Sequence, residues 1–122
     1  MIAIIDYGLG NSGSIRNMLK KIGVESSITA DEAVIRSADK LIIPGVGAFD
    51  EGMKQIESLK LKPLLDELVL EQKVPVLGIC LGMQLFCKSS EEGVRPGLGW
   101  IDAECRRFRL DASQTHLRVP HM

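Results

Sequence analysis

Short apolar runs alternate with stretches of helical period along most of the chain. Ile2-Ala3-Ile4-Ile5 reads as a buried strand that ends at Asp6 and a loop carrying Gly8 and Gly10. Ile15, Met18, Leu19 and Ile22 follow at i, i+3, i+4 and i+7, the stripe of an amphipathic helix. Gly23 is placed to stop that helix. Residues 24–29 form a weaker second strand, and Lys40-Leu41-Ile42-Ile43 a third that runs into Pro44-Gly45-Val46-Gly47. Phe49, Met53 and Ile56 share one side of the next helix. Pro63 opens another through Leu64, Leu65, Leu68 and Val69, where a first-turn N–H has no partner to lose. Residues 74–79 read as a strand and Leu81 to about Lys88 as a helix. The pattern changes after the glycine-bearing loop Ser89–Gly99. Trp100–Phe108 alternates like an exposed or antiparallel strand, and Leu117-Arg118-Val119 reads as one more.

Strand–helix–strand repetition predicts an α/β fold, a mostly parallel sheet with helices on both faces. Residues 1–122 are expected to form one domain, since no repeat, low-complexity tract or linker interrupts them. Ligands of such sheets bind at the carboxyl ends of the strands. Three glycine-marked loops lie at such ends: 6–13, 44–47 and 78–82.

Composition narrows the function classes. Fifteen Lys+Arg against sixteen Asp+Glu leave a net charge of −1, which argues against nucleic acid as a partner. No apolar run approaches a membrane span, and Met1–Asp6 lacks the basic region of a signal peptide, so a cytoplasmic location is expected. Three cysteines without C-x-x-C spacing suggest neither a disulfide framework nor a zinc site.

Each loop has a possible chemistry. Gly8-Leu9-Gly10-Asn11-Ser12-Gly13 matches G-x-G-x-x-G between a strand and a helix, with Asp31 about 20 residues on, the dinucleotide-binding pattern. A tight turn needs glycines whatever it binds, so this loop leaves both readings open. Pro44-Gly45-Val46-Gly47 could expose backbone N–H groups as an oxyanion hole, or simply turn the chain. Gly78-Ile79-Cys80-Leu81-Gly82 has the form of a nucleophile elbow. Glycines flank the nucleophile because a sharp strand-to-helix turn leaves no room for side chains. Cys80 at a helix start would be favoured as thiolate, with the Leu81 N–H aimed at the atom under attack. Buried structural cysteines are common, but the two flanking glycines favour the nucleophile.

Taken with Asp6-Tyr7-Gly8-Leu9-Gly10-Asn11, Ser90-Glu91-Glu92-Gly93, Gly97-Leu98-Gly99-Trp100-Ile101 and Val119-Pro120-His121-Met122, these loops resemble the class I (triad) glutamine amidotransferases, in particular the glutaminase subunits of histidine biosynthesis. The resemblance implies that Cys80 attacks the side-chain amide of L-glutamine, forming a thioester that water hydrolyses. It implies oxyanion donors at Leu81 and in Val46–Gly47, the latter turned inward by a peptide rearrangement. Gln84 and Glu92 match positions that hold glutamine, and Asn11 lies near the site and the partner interface. Ammonia would pass to a (β/α)8-barrel synthase subunit in a heterodimer that makes imidazole glycerol phosphate, with no metal or cofactor in this chain. An amidotransferase acting on nucleotide sugars for surface polysaccharides is the alternative acceptor system.

One departure is plain. The family's His-x-Glu is absent, because His116 precedes Leu117-Arg118 and His121 is the next-to-last residue. The expectation is a C-terminally truncated, incomplete domain that is inactive alone, since a triad lacking its base loses orders of magnitude in rate. Two other classes compete: a dinucleotide-binding module built on Gly8–Gly13 and Asp31, and a redox protein with an oxidisable Cys80. Cys87, on the same helix face as Cys80, and Cys105 are expected in the core; Met18, Met53 and Met83 are expected to fill space. Arg106-Arg107-Phe108-Arg109 is expected to be a solvated face, Trp100 a packing residue and His116 solvated.

Overall fold

The structure is a computed structural model that describes residues 1–109 and 111. Four parallel strands make its sheet: β1 (Ile2–Ile5), β2 (Ser26–Thr29), β3 (Lys40–Ile43) and β4 (Val76–Gly78), in the order β2-β1-β3-β4. The pleat sends alternate side chains to opposite faces. Ala3, Ile5, Leu41 and Ile43 enter one core with Ile35, Phe49, Met53, Ile56, Leu65 and Leu85. Ile4 and Ile42 enter the other with Leu19, flanked by Ile15 and Ile28. Helices therefore cover both faces, as the near-continuous apolar strands require.

The helices are α1 (Ser12–Lys21), α2 (Glu32–Ser37), α3 (Phe49–Ser58), α4 (Lys62–Asp66) and α5 (Leu81–Gln84). Asn11 caps α1 by accepting from the Ser14 N–H at 3.3 Å, and Gly23 ends it at φ +79°. The expected stripe of α1 is only half buried. Leu19 is inside, whereas Met18 is 53% and Ile22 67% exposed. Met83 is likewise exposed, so of the three methionines expected to fill space only Met53 does. Pro63 lies in the first turn of α4, and Glu67–Glu71 prolongs that helix as a π-helical turn closed by Gln72 N–H to Glu67 O at 3.0 Å.

Two expectations fail beyond β4. The helix expected to reach Lys88 stops at Gln84 because the next four carbonyls are taken from outside it. Leu85, Phe86, Cys87 and Lys88 accept from the N–H groups of Leu98, Ile101, Gly99 and Gly97 at 2.7–3.2 Å. Cys87 therefore lies past the helix, half-buried, rather than on its inner face. The strand expected over Trp100–Phe108 shrinks to β6 (Glu104–Cys105). It pairs with β5 (Ser89–Ser90) in parallel, because 97–101 has already laid the chain alongside 85–88. Trp100 packs against Phe86 with ring centroids 4.9 Å apart and donates to Asp66 at 2.7 Å. Arg106, Arg107 and Arg109 are exposed. The expectations for Leu117-Arg118-Val119, His116 and His121 lie outside the described residues.

Candidate active site

In a sheet ordered β2-β1-β3-β4 the chain leaves β1 and β3 in opposite directions, opening a crevice at their carboxyl ends. The three glycine-bearing loops meet there. A Cβ on Gly10 would lie 2.9 Å from Gly45 N and 3.0 Å from the Pro44 Cβ. A Cβ on Gly45 would meet the Tyr7 hydroxyl at 2.5 Å, Gly82 N at 2.7 Å and the Leu81 Cβ at 2.9 Å. One on Gly82 would overlap the Ile43 carbonyl, and one on Gly78 would lie 2.6 Å from the Met83 Cα. Side chains at these positions would push the loops apart.

Cys80 stands at the centre of this packing. Ile79 N–H still donates to Ile43 O at 3.0 Å, continuing the sheet, and one residue later the chain is helical. The reversal is absorbed at Cys80, which has φ +53° and ψ −119°, a conformation costly for any side chain. It presents the Cys80 side chain to solvent. Its carbonyl accepts from the N–H groups of Met83 and Gln84 at 3.0 and 3.2 Å, so the strained residue is pinned to α5.

The expected oxyanion donors are not both free. Leu81 N–H donates to Gly45 O at 3.2 Å. Val46 and Gly47 are exposed, and Gly47 has φ +125°, open to few residues but glycine. Tyr7, which stands out in the chain only as part of its motif, is buried and donates its hydroxyl proton to Pro44 O. Burial pushes its phenol well above the usual range, so it remains a donor.

The expected glutamine-holding residues divide. Gln84 is half-buried at the end of α5, one turn beyond Cys80, and its side chain makes no hydrogen bond among the described residues. Glu92 accepts the Phe49 N–H at 2.8 Å, so it caps α3, whose own N-cap Ala48 has no capping side chain. Asn11 spends its side-chain oxygen on α1. Asp31, the acid of the dinucleotide pattern, is the N-cap of α2 and accepts the Val34 N–H at 3.1 Å. The Cys105 thiol lies 3.6 Å from Gln84 O, and burial, with Cys87 beside it, pushes it up to about 11. Cys80 is thus the exposed thiol of the three. Among the described residues no three His, Cys, Asp or Glu side chains converge to hold a metal ion. No helix among them is long and apolar enough to cross a membrane.

Comparison with known proteins agrees with this geometry. Residues 3–118 match the family model described as glutamine amidotransferase class-I. Subunit HisH 2 of imidazole glycerol phosphate synthase from Methanococcus maripaludis is 52% identical over 122 residues, all of this chain and 59% of that protein. Subunit HisH from Leptospira interrogans is 42% identical, with 60% of its length covered, and subunit HisH 2 from Pseudomonas aeruginosa 46%, with 59% covered. The chain thus spans about three fifths of the curated relatives it matches. A crystal structure titled as a glutamine amidotransferase superposes with a TM-score of 0.72 at 21% identity, covering 88% of this chain and 57% of that one, which shows the shared fold. A nucleophile elbow at the carboxyl edge of a parallel sheet, matched by one family model over nearly the whole chain, has one reading: this chain belongs to the class I glutamine amidotransferase family.

Proposed function

We propose that this chain is the nucleophile-bearing part of a glutaminase subunit that supplies ammonia to a synthase subunit of imidazole glycerol phosphate synthase. The observation that carries the reading is the left-handed conformation of Cys80 between β4 and α5, with glycines on either side. The 38–52% identity to HisH subunits over the full chain supports the acceptor assignment.

The Cys80 thiolate adds to the side-chain amide carbon of L-glutamine, and the carbonyl oxygen becomes an oxyanion. Collapse breaks the C–N bond, the leaving nitrogen takes a proton and departs as ammonia, and a glutamyl thioester remains. Water hydrolyses it to glutamate and restores the thiol. The protons require a base and acid, the role of the family's His-x-Glu, which these 122 residues do not contain. Leu81 N–H stabilises the oxyanion once it leaves Gly45 O, and a donor from Val46–Gly47 joins it. Gln84 and Glu92 hold the glutamine. The ammonia passes to a (β/α)8-barrel subunit of a cytoplasmic heterodimer, and this chain itself needs neither metal nor cofactor.

The test uses a version of the chain followed by a segment bearing His-x-Glu, assayed with the barrel subunit for glutamate release. Turnover abolished by Cys80→Ser is the expected result. Turnover that survives Cys80→Ser, or none in the extended protein with its partner, overturns the reading.

A further inference from the structure

Residues 92–97 lie along α3 as a strap, and one carboxylate fastens it. Asp50, in the first turn of α3, accepts the Val94 N–H with both oxygens, at 3.1 and 3.0 Å, and the Arg95 N–H at 2.9 Å. Gly93 fits against the same carboxylate so closely that a Cβ there would overlap its Oδ1. On one side of this grip Glu92 reaches the Phe49 N–H. On the other, the Arg95 guanidinium pairs with Glu57 at 2.8 Å, at the far end of α3. Gly97 then passes against the Phe49 ring and the Cys87 carbonyl.

A carboxylate that accepts three backbone contacts has been placed for that purpose, and these N–H groups hold Asp50 well below the ordinary carboxylate range. The consequence reaches the site through Glu92. Its Oε1 is fixed on Phe49, and its second oxygen makes no hydrogen bond among the described residues. Phe49 begins α3 directly after the 44–48 loop, whose Gly45 touches Leu81.

We infer that Asp50 is a positioning residue: by clasping the backbone of Val94 and Arg95 it sets the Glu92 carboxylate on the start of α3, and with it the hold on glutamine proposed for Glu92. This rests on the glutaminase reading of Cys80 and extends it to substrate affinity. Asp50 touches no reacting atom, so it governs how tightly glutamine is held and leaves the chemistry at Cys80 unchanged.

The test follows inactivation by a diazo-ketone analogue of glutamine in the extended protein with its barrel partner, with rates taken across analogue concentration. Asp50→Ala is expected to raise the half-saturating concentration about tenfold, the scale of one lost charge-assisted hydrogen bond. The limiting rate at saturation should stay within about twofold. Gly93→Ala, which displaces the carboxylate without removing it, should move the same parameter in the same direction. Asp50→Asn, which keeps an acceptor oxygen, should recover most of the affinity and serves if Asp50→Ala does not fold. Wild type labelled at Cys80, with half-saturation unchanged in these variants or with the loss entirely in the limiting rate, overturns the inference alone. Failure of the wild type to label overturns the glutaminase reading beneath it.

Discussion

Cys80 holds a side chain at φ +53°, where L-residues bear strain of about 1–3 kcal/mol. Glycine relieves that strain and gives back roughly 0.5–1 kcal/mol through its looser unfolded chain. Cys80→Gly should therefore be more stable than Cys80→Ala by about 1 kcal/mol in denaturant titration, although both remove the thiol. Equal stability would mean that the turn is not strained. The three thiols should also separate by reactivity. At pH 8, Cys105, pushed up to about 11, carries roughly one thiolate in a thousand, and it is partly buried. Iodoacetamide should reach Cys80 well before Cys105, whose rate should climb as pH approaches 11. The sharp strand-to-helix turn at Cys80 was legible because two flanking glycines mark an elbow on their own. The cap that Glu92 places on Phe49 and the hold of Asp50 on the Val94 and Arg95 N–H groups were not, because partners 43 to 45 positions away have no local signature. The same holds for Leu81, since nothing near it in sequence reveals that its N–H donates to Gly45 O.

The elements at the carboxyl edge depend on backbones that touch. A methyl on Gly82 has nowhere to go, because the obstacle is the Ile43 carbonyl of β3 and not a movable side chain. Gly82→Ala should cost roughly 3 kcal/mol or more, at or beyond the top of the usual overpacking range, measured by the denaturant midpoint. The bond between α3 and its strap has a pH signature. The folded pKa of Asp50 is depressed, so its contribution is complete above the unfolded value of about 3.9 and is lost as pH falls through the lower folded value. Amide exchange at Val94 and Arg95 should hold steady from neutral pH to about pH 4 and accelerate below it, relative to the intrinsic rate at each pH. Acceleration already near pH 6 would contradict the assignment. Strands β1 and β3 could be read because both faces are covered and their apolar runs are unbroken. The end of α5 could not, since nothing within 81–88 reveals that 97–101 will take its carbonyls. The parallel pairing of β5 with β6 follows from the same event.

Across the whole molecule, alternate residues of β1 and β3 feed two cores, and the strand order opens a crevice between them. The G-x-G-x-x-G pattern shows how local motifs mislead at this scale. Gly10 is small to admit Pro44 and Gly45, and Asp31 caps a helix, so its parts serve the packing of the elbow. The central claim is that this packing presents Cys80 to glutamine. Its most direct test is labelling by a diazo-ketone analogue of glutamine, with the modified residue located by mass spectrometry. It is run on this chain and on the version followed by a His-x-Glu segment, each with the barrel subunit. We predict an adduct on Cys80 and none on Cys87 or Cys105 in the extended protein, blocked by L-glutamine and absent in Cys80→Ser. No adduct in either protein, or one spread over the three cysteines and indifferent to L-glutamine, would contradict the account.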